Sequence, residues 1–186
     1  MKYPELLFIP SFLLVDYYLT IAGAILIEKK YKLHFRMEHY ELNPVWQEQV
    51  ADKKWFNPKH LALTLLLTIV LVAVGELFNL PPNLVRGMTG FVFVFFGIAI
   101  GRHIANLLTF WQVTRHPEQI SGVVTISHGL SLSISMYQVA VVLFPLLLVT
   151  LFSPAPFIIG ALLATFFQVL IHLTWINQLN KRRGLS

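Results

Sequence analysis

Apolar residues fall into five long blocks along the chain: Leu6–Ile27, Leu61–Leu80, Gly87–Leu108, Leu130–Phe152 and Phe157–Leu179, each 20 to 23 residues. A helix rises ~1.5 Å per residue and a bilayer core is ~30 Å thick, so ~20 apolar residues suffice to cross it. Each block therefore predicts a membrane-spanning helix. Only helices or closed barrels satisfy every backbone polar group in lipid. The expected fold is all-α: one integral membrane domain over residues 1–186, a polytopic bundle of five transmembrane helices. The first block is too long for a signal-peptide core, carries Asp16 and is preceded only by Lys2 as a basic residue, so it is expected to remain as a helix.

Composition narrows the function classes. Hydrophobic residues make up 56% of the chain and charged residues 12%, against about a quarter charged in soluble domains. The chain has no cysteine, which excludes disulfides, thiolate catalysis, Fe–S clusters and Cys-based zinc sites. The net charge of +5 does not call for nucleic acid, because the basic residues follow membrane topology. Of 14 Lys and Arg, 11 lie in alternate connections: seven between Lys29 and Lys59, then Arg115, Lys181, Arg182 and Arg183. The positive-inside rule then places the N-terminus outside and the C-terminus in the cytoplasm. The outer connections, Pro81-Pro82-Asn83 and Ser153–Pro156, are short and predict antiparallel hairpins.

The inner loop Glu28–His60 is the largest piece outside the spans. Its Lys30–Tyr40 stretch mixes aromatic and basic residues and is expected to touch anionic lipid. Pro44–Trp55 predicts a short helix capped by Asn43, and Asn57-Pro58 repeats that start signal before the second span.

Ionisable residues at membrane depth are costly and mark candidate sites. Asp16 lies ten residues into the first block, ~15 Å down, with Thr20 one turn along the same face. Glu76, close to the outer surface, is assigned a structural role. Arg102 and His172 each follow the start of an inward-running span by fifteen residues, so both are expected at ~22 Å, in the inner leaflet. Around that level Asn106 and Thr109 continue the third span. His128, Ser131, Ser135 and Gln138 form one face of the fourth, and Thr165, Gln168, His172 and Trp175 one face of the fifth. For the hydroxyl groups, interhelical hydrogen bonding suffices as an explanation. Arg102, His128 and His172 predict a polar cavity, with His103 turned about 100° away towards another contact. The small residues Gly97, Gly101 and Ala105 predict close approach of another backbone, in the same chain or in a second copy, and five short helices favour a homo-oligomer or a subunit of a complex.

No catalytic or metal motif is present in a recognised form. His34-Phe-Arg-Met-Glu38-His39 misses both zinc spacings by one residue, His116-Pro117-Glu118 reads as a turn, and Gly97-x-x-x-Gly101 lacks a phosphate loop's strand and lysine. No metal or cofactor is implied. Asp16-x-x-x-Thr20 followed by Glu41-Leu42-Asn43-Pro44 resembles the D-x-x-x-T … E-x-N-P pattern of a group of small prokaryotic polytopic membrane proteins with no established activity. The resemblance covers the first quarter of the chain. It implies a prokaryotic plasma membrane location and adds Glu41 and Asn43 to Asp16 and Thr20 as candidates at the inner end of the first helix.

Three function classes are compatible with these residues. A transport or channel-type protein for an anion or acidic small molecule ranks first. A scaffold docking a partner protein or anionic lipid is second. An intramembrane enzyme with a histidine base and Arg102 as electrostatic stabiliser is third.

Overall fold

A computed structural model describes residues 2–29, 31–78 and 80–184. Lys30 of the basic loop and Asn79 of the second predicted span lie outside the described residues. A 3-10 turn, Pro4–Phe8, leads into α1 (Ile9–Lys29). There follow α2 (Gln47–Ala51), α3 (Pro58–Leu77), α4 (Pro82–Arg115), α5 (His128–Phe152) and α6 (Pro156–Arg182). Among the described residues five helices are long and apolar enough to cross a membrane: Pro4–Lys29, Pro58–Leu77, Pro82–Arg115, His128–Phe152 and Pro156–Arg182. These are the five predicted spans with shifted ends. The largest shift is in α4, whose 34 residues reach ~51 Å, well past the hydrocarbon limit.

Helix starts follow the local chemistry. Asn57 accepts from the backbone N–H groups of Lys59 (3.1 Å) and His60 (3.2 Å), and Pro58 occupies the first helical position, where its missing N–H costs nothing. Ser127 caps α5 by accepting from Leu130 (3.3 Å), and Pro82 and Pro156 open α4 and α6. Asn43 behaves differently from its prediction. Its Oδ1 accepts from Val45 N–H (3.0 Å), two residues on, and closes an Asx turn. That turn delays the helix to Gln47, so Pro44–Trp46 is turn and α2 is only five residues long.

The long helices pack as a row, in the order α3, α1, α4, α6, α5. The tightest pair is α4 with α6. A Cβ at Gly90 would run into the Phe157 carbonyl, and one at Gly160 into the Gly87 carbonyl, so these glycines let the two backbones touch. The predicted ridge is elsewhere: a Cβ at Gly97 or Gly101 meets nothing within 4 Å. Within the chain, the close approach to α4 is made at Gly87 and Gly90, about two to four turns before Gly97 and Gly101.

At one end of the row, Tyr3, Leu6, Ile9, Leu13 and Val85 form a core against Leu67, Leu71 and Val72. Glu76 has the structural role assigned to it, since its Oε1 accepts from the backbone N–H of Lys2 (2.7 Å) and Tyr3 (3.1 Å). At the other end, β1 (Phe35–Met37) pairs in parallel with β2 (Val124–Ile126), joining the two long connections. Tyr31, Phe110 and Val113 are buried there, with Phe35, Met37 and Ile120 against them. The projecting end of α4 is thus the post on which the loop folds.

Candidate functional site

The helix row curves around a cavity of about 510 Å³ at this loop end, with walls from all five long helices and from the Met37–Trp46 loop. That volume is within the ~300–1,000 Å³ typical of small-molecule sites. Towards the N-terminal end the Leu6–Leu13 core leaves a void of only about 10 Å³, so the cavity is blind on that side.

Three polar groupings face one another across it. The first joins α1 and α4. Thr20 Oγ1 donates to the Asp16 carbonyl (2.9 Å) and lies 3.0 Å from His103 Nε2, while Asp16 Oδ1 is 3.4 Å from the same nitrogen. The hydroxyl proton is committed to the carbonyl, and both neighbours of Nε2 are acceptors, so Nε2 carries the imidazole proton.

The second grouping joins α4 and α5. Arg102 Nε donates to Gln138 Oε1 (3.2 Å). Among the described residues no carboxylate stands within ion-pair distance of Arg102, although Glu41 and Asp16 act on it through space. Glu41 sits where the loop enters the cavity wall. Its Oε1 accepts the Asn43 N–H (2.6 Å) and Gln47 donates to its carbonyl (3.2 Å). Burial, reinforced by the nearby Asp16 charge, pushes the Glu41 carboxyl above the usual range despite the Asn43 bond. Burial and the Glu41 charge likewise push the Tyr40 phenol up.

The third grouping joins α5 and α6. His172 Nδ1 faces the Gln168 carbonyl (2.8 Å) and must donate to it, which leaves Nε2 to accept the Ser135 hydroxyl at 2.5 Å. The Gln168 side-chain amide donates to the Phe95 carbonyl (2.5 Å), while its Oε1 is buried without a hydrogen-bond partner.

Asp16, Thr20, Glu41, Asn43, Arg102, Asn106, Ser131, Gln168 and His172 all line the cavity. His128 does not, because it is the first residue of α5 and is half-buried against the loop instead. Its backbone N–H donates to Glu38 Oε2 (2.7 Å) and its ring meets His39 edge-on at 5.2 Å. That N–H bond, with Arg183 at 3.5 Å, holds the Glu38 carboxyl below its usual range. Arg102 and His172 share the cavity but bond to different partners.

Sequence reasoning placed Gln138 on the polar face of the fourth span but missed His103, Tyr40 and His60 as lining residues. His103 is the most informative of these. Arg102 and His103 point ~100° apart, yet α4 lies between α1 and α6 in a curved row, so both directions reach the same cavity. His60 stacks on Tyr17 (ring centroids 4.4 Å), and the Tyr17 hydroxyl donates to the Lys54 carbonyl, pinning the loop to α1. Comparison with protein-family models, curated proteins and solved structures finds no match for this chain.

Proposed function

We propose that this chain is a membrane-embedded protein of the transport class whose cavity binds a small molecule through an acidic group. One observation carries this: Arg102 faces the cavity with no carboxylate in ion-pair range. A cation at membrane depth calls for a counter-charge. The two carboxylates nearby are engaged otherwise, Asp16 beside His103 and Glu41 at the Asn43 N–H with its proton favoured by burial. An acidic ligand supplies the missing charge, and Gln138, Gln168 and Asn106 add hydrogen-bonding capacity around it.

The test is a ligand panel of mono- and dicarboxylates, phosphate esters and alkylamines, read by thermal shift and by flux in proteoliposomes. Acids are expected to bind and amines not. Arg102→Gln should weaken acid binding about 10- to 100-fold, the size of a charged hydrogen bond. Equal binding of acids by wild type and Arg102→Gln would refute the proposal.

The Ser135–His172 pair supports a second reading, an intramembrane acyl-transfer enzyme. Ser135 Oγ would attack a carbonyl carbon while its proton passes to His172 Nε2, held in place by the Gln168 carbonyl; the bond from that carbon to the leaving group then breaks, the leaving group departs with the proton from His172, and water releases the acyl group from Ser135 as the acid. A fluorophosphonate probe should then label Ser135 and fail on His172→Gln. A wild-type protein that stays unlabelled excludes this chemistry and leaves the pair as an interhelical hydrogen bond.

A further inference from the structure

The helix row does not close. Helix α3 packs on α1 and the N-terminal turn, α5 packs on α6, and no sustained packing joins α3 to α5. Yet both end helices contribute to the cavity wall, with Leu63 and Leu67 from α3 and Ile134 from α5. The cavity therefore has a side bounded by two helix edges instead of a packed helix. In a bilayer that side faces hydrocarbon. The two edge helices bring the aliphatic Leu63, Leu67 and Ile134 to this side, with Ser131 and Gln138 among them, whereas Arg102, Asp16 and His103 stand on the opposite wall formed by α1 and α4. Charged groups at the back and aliphatic groups at the mouth fit a molecule with an acidic head and a hydrocarbon tail.

We infer that the ligand is a single-chain amphiphile with an anionic head, drawn sideways from the loop-side leaflet between α3 and α5. This rests on the acid-binding role given to Arg102 and adds the tail and the route. The head is placed at Arg102 and Gln138, and the tail along Leu67, Phe95 and Ile134 towards the opening. Phe95 and Phe96 make a firm apolar back wall, their rings in edge contact at 5.4 Å. A freely soluble acid would gain nothing from that wall, since the transfer of each methylene from water is what it rewards.

The experiment uses the full chain in phosphatidylcholine vesicles with straight-chain carboxylates from butyrate to dodecanoate. Affinity referred to the aqueous concentration should rise with length, by up to about fourfold per buried methylene, and the Arg102→Gln loss should persist at every length. A second measurement maps the route. Dodecanoate carrying a terminal diazirine should, on illumination, modify peptides containing Leu63, Leu67 or Ile134, and unlabelled dodecanoate should compete.

Arg102-dependent binding with no length dependence would overturn the amphiphile and leave the acid site standing. Absence of Arg102-dependent binding at any length would overturn both. Competed adducts confined to the far ends of the helices, near Leu77 or Phe152, would overturn the route. Disulfide-linked dimers formed by Leu63→Cys or by Ile134→Cys in the otherwise cysteine-free chain would show that a second copy covers the opening, and would also overturn lateral entry.

Discussion

The Asp16–His103–Thr20 contact is where single residues are most tightly interdependent. Removing either partner of this partly buried polar contact strands the other, so Asp16→Asn and His103→Gln should each destabilise the protein. In a double-mutant cycle the two effects should fall short of additivity by about 0.5–3 kcal/mol. Thermal unfolding in detergent measures this, and strict additivity would mean that the pair does not interact. Glu41 makes a pH-dependent prediction. Its carboxyl is held above the usual range by burial, so the folded state binds that proton more tightly than the unfolded chain does. Stability contributed by the proton is present at low pH and lost as pH rises through the raised value. Glu41→Gln imitates the protonated form and should raise Tm at neutral pH, by about 2–4 °C per kcal/mol recovered. The advantage should vanish below about pH 4, where the native carboxyl is protonated in both states. An unchanged difference across that range would exclude Glu41 as its source.

Among the elements, the five spans were legible because lipid demands uninterrupted apolar helices, and few other structures need blocks of ~20 such residues. The β1–β2 pairing was not, since three-residue strands have too little alternation to stand out and their partners lie 89 positions apart, as do Phe35 and Val124. Gly97, Gly101 and Ala105 show why a small-residue stripe is ambiguous: spacing reports that a backbone could come close and says nothing about which helix does. The two sets of glycines should separate by mutation. Gly160→Ala should cost roughly 1–3 kcal/mol, because its Cβ meets the α4 backbone. Gly101→Ala should be neutral or stabilising by up to ~1 kcal/mol in a monomer, since the methyl meets nothing and alanine favours helix. A large loss at Gly101 would reveal a contact with a second copy. Helix direction is checked with single cysteines, which the cysteine-free chain makes unambiguous. Positions Asn83 and Ala155 should react with an impermeant thiol reagent from outside sealed cells, and Lys54 and Arg182 should not. Labelling at Lys54 from outside would reverse the topology.

At the scale of the whole molecule, function follows from a row of helices bent into an incomplete ring. Depth alone pointed to Asp16, Arg102 and His172, because an ionisable group in hydrocarbon is conspicuous in any sequence. His103 and Tyr40 became candidates only once the order α3, α1, α4, α6, α5 was known, since that order decides which faces meet. His128 shows the converse: it shares a face with Ser131 and Ser135, but it lies at the very start of α5 and bonds to the loop through Glu38. Among the described residues Arg102 is the Lys or Arg that lines the cavity and no carboxylate lies within ion-pair distance of it, and exposed Arg86 at the opposite end serves as its control. The measurement that bears hardest on this arrangement is the binding of dodecanoate to vesicle-reconstituted wild type, Arg102→Gln and Arg86→Gln. Saturable binding that Arg102→Gln weakens about 10- to 100-fold and Arg86→Gln leaves unchanged is the predicted result. Equal binding by all three proteins, or none above protein-free vesicles, would contradict it.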